Sequence, residues 1–213
     1  MRLTRDVITF TSLLLLGSAC GPASNGPQIL ETDEVRGDLS SPVLTDGRLV
    51  QEGRFTAMLP GRPSRDFRIT LTSTMTRGDG DIVLEIIDES DDTQTVLALD
   101  DEQAYGELET PDGAILAATY NADETISVGG TDFDTPEEAA EQIFTSEAAA
   151  SVTPESLAVA SAILETTDDA SDTAVDRSAA KKTVAKVWKT IVDIATIVLK
   201  NPPVLCMVYP CKP

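Results

Sequence analysis

A strict two-residue alternation of apolar and polar side chains runs through residues 67–75 and limits the folds open to this chain. The apolar members are Phe67, Ile69, Leu71 and Met75, and the polar members are Arg68, Thr70, Thr72 and Thr74. Successive side chains of a strand point to opposite faces, so the pattern predicts a strand with one buried face and one face in water. Strands of this kind are typical of antiparallel sheets and sandwiches.

Five further segments of strand type and two helices are predicted around this strand. The strands cover residues 49–59, 81–87, 95–99, 114–120 and 125–128, and turn-forming steps such as Gly-Asp and Pro-Asp-Gly separate them. Thr135-Pro136 and Thr153-Pro154 each combine an N-cap residue with Pro at the first helical position. These two signals predict helices over 136–150 and 154–166.

The first 20 residues have the organisation of an export signal. Arg2 and Arg5 precede an apolar run over 7–16, and small residues at 17–19 lead to Cys20. A membrane-spanning helix needs about 20 apolar residues, so this run predicts a signal peptide over 1–19. The segment resembles the signal of bacterial lipoproteins, in which leucines and small residues precede a Cys that is lipidated and becomes the new N-terminus. That family usually has Leu three places before the Cys, where this chain has Gly17.

The resemblance implies that Cys20 carries lipid and anchors the protein in the bacterial cell envelope, at the outer membrane or the cell surface. Ordinary cleavage after Ala19 is the alternative and would give a secreted protein. The chain has three Cys, an odd number for an exported protein, and lipid on Cys20 would account for one of them. Cys206 and Cys211 then remain as a disulfide pair. Two thiols without any His make an incomplete metal site, so no metal or cofactor is expected.

Acidic and basic residues are divided unevenly along the chain. Residues 20–176 contain 34 Asp and Glu, 7 Arg and no Lys, which gives a formal charge of −27. Residues 177–213 contain six Lys, one Arg and one Asp, which gives +6. The whole chain carries −20. Because so acidic a protein repels a phosphate backbone, nucleic acid is not expected as a partner.

The basic tail predicts a cationic amphipathic helix over 179–200. Its apolar stripe contains Val184, Trp188, Ile191, Ala195 and Val198, and its opposite stripe begins with Lys182, Lys186 and Lys189. Such a helix suits packing on the sheet, and it also suits contact with an anionic membrane or a protein partner. The lysines near its N-terminus oppose the helix dipole, which indicates a role other than helix stability. The contact residues expected for a membrane or partner are Lys182, Lys186, Lys189, Trp188, Ile191 and Val198.

The expected fold class is α+β, with a small antiparallel sheet or sandwich followed by two short helices and the C-terminal amphipathic helix. The signal peptide over 1–19 precedes a flexible acidic tether over 20–42. An acidic β-rich domain with the two helices then covers 43–166. A linker over 167–177 leads to the cationic helix and disulfide loop over 178–213.

The expected function is that of a lipid-anchored, non-enzymatic binding or shielding module whose tail contacts membrane or a protein partner. The chain has no His, and every Lys lies in the tail, so no catalytic constellation stands out. Two alternatives stay open. The layout is similar to that of precursors of secreted membrane-active peptides, which would release the C-terminal segment. A structural lipoprotein with the helix docked on its own core fits the same pattern.

Overall fold

The computed structural model describes residues 27–74, 81–100, 102–171 and 184–200. In these residues eleven antiparallel strands form one sheet, followed by three α-helices that pack on it. The predicted α+β class, with an antiparallel sheet and a C-terminal helix, is confirmed. The strands form one sheet and not two packed sheets.

The order of the sheet is a meander in which almost every strand lies beside the next one in the sequence. The strands are β1 (Gln28–Glu31), β2 (Val35–Leu39), β3 (Val43–Thr45), β4 (Arg48–Ala57), β5 (Arg65–Thr74), β6 (Ile82–Asp88), β7 (Gln94–Asp100), β8 (Tyr105–Glu109), β9 (Ile115–Tyr120), β10 (Ile126–Val128) and β11 (Thr131–Phe133). β2 and β3 both pair with β4, on the side away from β5. The helices are α1 (Pro136–Phe144), α2 (Pro154–Ser171) and α3 (Val184–Lys200), with a 3-10 turn at Glu147–Ala149.

One face of the sheet, here called the inner face, carries the core. A ladder of five directly paired leucines crosses strands β5 to β9 on this face: Leu71, Leu84, Leu97, Leu108 and Leu116. All five are buried, and each buried Leu contributes about 1.5–3 kcal/mol of transfer free energy. The alternation that predicts β5 therefore continues across its neighbours and defines a face that other elements must cover.

The two predicted helices begin where expected but end elsewhere. The Thr135 hydroxyl accepts a hydrogen bond from the Glu138 N–H at 3.3 Å, and the Thr153 hydroxyl accepts from Ser156 N–H at 3.2 Å. α1 ends at Phe144 and not at 150, because the backbone becomes extended at Ser146, one residue after the C-cap Thr145. α2 continues to Ser171, beyond the predicted end at 166.

The predicted division of the chain differs from the structure at two places. The tether predicted over 20–42 contains strands β1 and β2, and Val35 and Leu39 on β2 are core residues. The linker predicted over 167–177 begins inside α2. The rest of that linker and the signal peptide over 1–19 lie outside the described residues.

Candidate functional site

Helix α3 lies on the inner face of the sheet, where it contacts α1, α2, β7 and β8. Its apolar side is sealed in the core, with Val184, Val187, Trp188, Ile191, Val192 and Ala195 all buried. Trp188 is 1% exposed and Ile191 is fully buried. The amphipathic stripe predicted from the sequence is therefore present, and α1, α2 and strands β7 and β8 of the protein itself cover it.

The indole of Trp188 lies directly on the backbone of β8 at Gly106. A Cβ atom added to Gly106 would come within 2.0 Å of the indole Nε1. Any larger residue at position 106 would displace the indole. Glycine at this position therefore allows α3 to approach β8 closely. This pair of residues fixes the place where α3 docks.

The docking corrects part of the predicted contact surface. Trp188 and Ile191, expected at a membrane or partner surface, lie in the core and reach no surface. The physical reason is that the inner face of the sheet offers them the same apolar environment that lipid would. Val198 is half-buried and Lys186 is exposed, whereas Lys182 lies outside the described residues.

Two lysines of α3 contact carboxylates of the protein itself. Lys189 Nζ donates to Asp193 at 2.9 Å, and the other carboxylate oxygen of Asp193 accepts from the Ser161 hydroxyl on α2. Lys200 Nζ donates to Glu34, in the turn between β1 and β2. These contacts tie α3 to α2 and to the first hairpin, so both lysines act at least in part within the fold.

Two ion pairs close the end of the sheet beneath the start of α2. Arg62 donates to Glu155, whose side chain is 1% exposed in the first turn of α2. Arg65 donates to Asp88 at 2.5 Å. Burial opposes ionisation of Asp88, but hydrogen bonds from Ser90 and Arg65 outweigh it and hold the pKa of this carboxyl below its usual value. The hydrogen bond to Asp88 in turn raises the pKa of Arg65. Sequence analysis missed both pairs, because their members lie far apart in the chain.

The charges are divided between two sides of the molecule as well as along the chain. Residues 27–74, which form β1 to β5, contain six Arg and seven Asp and Glu. Residues 81–166, which form β6 to β11, α1 and most of α2, contain 22 Asp and Glu and no basic residue. The second side is therefore strongly acidic, and the first is nearly neutral.

The face of the sheet opposite the helices, here called the outer face, carries part of this acidic charge. Glu85 and Glu109 both lie beside Val96, on neighbouring strands in direct register. Glu107 lies next to them on β8 and accepts a hydrogen bond from the Tyr105 hydroxyl at 2.7 Å. Among the described residues no Lys or Arg forms an ion pair with these three carboxylates.

The cavities of the described part are open grooves. One groove of about 440 Å³ lies between the β1–β2 turn, α2 and α3, and Ser161, Asp193 and Lys200 help to line it. No group of Asp, Glu or Cys among the described residues is arranged to hold a metal ion. The helices of that part are too short or too polar to span a bilayer. Cys20, Cys206 and Cys211 lie outside it.

No family model, curated protein or solved structure matches this chain.

Proposed function

We propose that this chain is an exported, lipid-anchored protein of the bacterial cell envelope that acts as a non-enzymatic, acidic binding or shielding module. The observation that carries the proposal is the one-sided sheet. Three helices pack on its inner face, whereas no described helix covers its outer face, where Glu85, Glu107 and Glu109 form no ion pair with a described Lys or Arg. The signal sequence ending at Cys20 supports the lipid anchor.

The outer face has a chemistry that favours cationic, partly apolar ligands. Neighbouring strands lie about 4.8 Å apart, so Glu85 and Glu109 stand about 10 Å from each other with Val96 between them. Ala98 separates Val83 from Glu107 in the adjacent row. Carboxylates set among aliphatic side chains attract basic groups and repel anions, and the net charge of the whole protein adds to both effects.

The C-terminal helix serves this function by completing the core. Membrane contact through the apolar side of α3 would require Trp188 and Ile191 to leave the core, and so would release of a C-terminal peptide. The docked form of the tail therefore has the better support. Trp188 is the single Trp of the chain, so its fluorescence reports on docking. We expect no change in its emission when vesicles of phosphatidylglycerol are added, and a change would favour the membrane-active alternatives.

Intact mass spectrometry of the cell-envelope fraction tests the anchor. We expect the chain to begin at Cys20 with added lipid, and Cys20→Ser to abolish that addition. An unmodified chain that begins at Cys20 would contradict the anchor and leave a secreted protein. A cut between residues 177 and 182 would contradict the docked tail and support the peptide precursor.

Binding of a peptide of alternating Lys and Leu tests the outer face. We expect the triple variant Glu85→Gln, Glu107→Gln and Glu109→Gln to bind it at least about tenfold more weakly than the wild type, a change of about 1.4 kcal/mol. A control variant changes the same net charge in three turns, with Glu102→Gln, Glu124→Gln and Glu147→Gln. Equal weakening in both variants would mean that only the total charge matters, and it would favour shielding over binding.

A further inference from the structure

We propose that the edge of the sheet formed by β1 and β3, here called the anchor edge, rests on the lipid surface of the membrane. The acidic strands then point away from that surface. This inference rests on the proposed lipid anchor at Cys20, and it adds which surface of the folded part contacts the membrane.

Exposed apolar side chains gather at the anchor edge. Six large apolar residues are exposed among those described, and three of them lie on these two short strands: Ile29 at 78%, Val43 at 60% and Leu44 at 60%. Among the described residues β1 ends the sheet and β3 pairs with β4 alone, so each strand has an edge that no described strand covers. An exposed apolar strand edge is a site of aggregation unless something covers it. Val43 and Leu44 are consecutive strand residues and point to opposite faces, so a lipid surface that receives the edge itself would contact apolar side chains of both faces.

The length of chain between Cys20 and the sheet brings the same edge to the membrane. β1 begins eight residues after Cys20, and eight residues span at most about 27 Å when fully extended. β11 lies nine strand spacings away from β1, which is about 43 Å. A lipid on Cys20 therefore keeps β1 within about 27 Å of the membrane, whereas β11 lies further along the sheet than this tether can reach.

Charge favours the same orientation. Anionic lipids give the membrane a negative surface potential, which repels the acidic side of the molecule over residues 81–166. Residues 27–74, which contain the anchor edge, carry a formal charge of −1 and are repelled less than residues 81–166. The edge itself, residues 27–47, holds five Asp and Glu and one Arg, and Lys200 pairs with Glu34 of the β1–β2 turn. The exposed apolar residues and the tether length thus point to this edge, and the charge of the whole molecule turns the more acidic strands away from the membrane.

Hydrogen exchange measured by mass spectrometry on the full-length lipidated protein tests the orientation. The protein is bound to vesicles of phosphatidylethanolamine and phosphatidylglycerol, and Cys20→Ser protein free in solution is the reference. We expect the amides of 28–31 and 43–45 to exchange at least about tenfold more slowly on the vesicles. Exchange over 126–133, at the opposite edge, should not change.

A pair of variants measures how much the exposed apolar side chains contribute to protection of the anchor edge on the vesicles. Ile29→Ser with Leu44→Ser should lose most of the protection at the anchor edge. The matched control, Ile115→Ser with Ile197→Ser, removes the same number of carbon atoms from other exposed positions and should keep it. All four side chains are at least half exposed, so we expect both variants to fold.

The intact mass of the same sample separates failure of the anchor from failure of the orientation. Absence of lipid on Cys20 would overturn the anchor, and the orientation with it. Lipid on Cys20 without protection of the anchor edge, or with equal protection at β11, would overturn the orientation and leave the anchor standing. Protection that needs a second envelope protein in addition to lipid would also overturn it, in favour of a protein partner.

Discussion

Replacement of Gly106 by Ala introduces a methyl group at the place where the indole of Trp188 lies. The new Cβ would stand 2.0 Å from the indole Nε1 and 2.5 Å from Cδ1. Trp188 is 1% exposed, so its ring cannot move without disturbing the core around it. Such overpacking typically costs about 1–3 kcal/mol, and the lower unfolded-state entropy of Ala offsets about 0.4–1 kcal/mol of this. We expect the free energy of unfolding to fall by about 1–2 kcal/mol.

A double-mutant cycle with Trp188→Ala shows whether the indole causes this loss. Removal of the indole alone leaves a cavity and should cost about 3–5 kcal/mol. In that background the methyl group of Gly106→Ala meets open space, so the second substitution should cost nothing and should stabilise by about 0.4–1 kcal/mol through the lower unfolded-state entropy of Ala. The expected interaction energy is therefore the overpacking cost itself, about 1–3 kcal/mol. Urea unfolding followed by far-ultraviolet circular dichroism measures all four proteins, because two of them lack the only Trp of the chain.

Two results would refute the reasoning. Gly106→Ala could prove as stable as the wild type within about 0.5 kcal/mol, which lies below the expected overpacking cost. It could also lose the same free energy with and without Trp188. Either result would mean that the indole does not lie on β8 and that α3 is docked differently.

Two further predictions concern the ion pairs beneath α2. Arg62→Met leaves the buried carboxylate of Glu155 without its partner, and it should lower the free energy of unfolding in urea by about 2–3 kcal/mol, less than for a fully buried pair because Arg62 is 36% exposed. Arg54→Met, at a side chain that is 79% exposed, should change it by less than about 0.5 kcal/mol, and equal losses would contradict the difference in burial. The lowered pKa of Asp88 stabilises the fold above about pH 4, and this contribution disappears as the pH falls through the folded-state pKa. Asp88→Asn should therefore lose less stability than the wild type as the pH is lowered below about 4, and equal losses in the two proteins would contradict this prediction.

The local sequence was sufficient to predict those elements whose structure depends only on neighbouring residues. The alternation over β5 depends only on the period of an extended chain, and Thr135 caps α1 through its own turn. Strands β2 and β8 escaped prediction because each carries a glycine that weakens the local strand signal. Both glycines face a large aromatic ring from elsewhere in the chain, with Gly37 against Phe55 and Gly106 against Trp188. The need for glycine at these two positions therefore cannot be recognised from the neighbouring residues alone.

The location of α3 could not be predicted from its own sequence. A stripe of apolar side chains at helical spacing has the same period whether it faces a sheet or a lipid surface. What decides between these is the uncovered inner face of the sheet, whose five-leucine ladder is assembled only when β5 to β9 pair. The sequence feature that could have indicated where α3 docks is Gly106, since a glycine inside a strand often marks the close approach of another element.

The strand order and the docking of α3 indicate two stages in the folding of a newly synthesised chain. Strands that pair with their neighbours in sequence can associate as the polypeptide emerges, whereas part of the leucine-lined face has to wait for the helix that comes after all of them. A truncated product that stops before residue 184 would leave part of that apolar face exposed to water, where chaperones and proteases can bind it. We therefore expect a chain truncated before residue 184 to be cleaved faster by protease than the full-length protein.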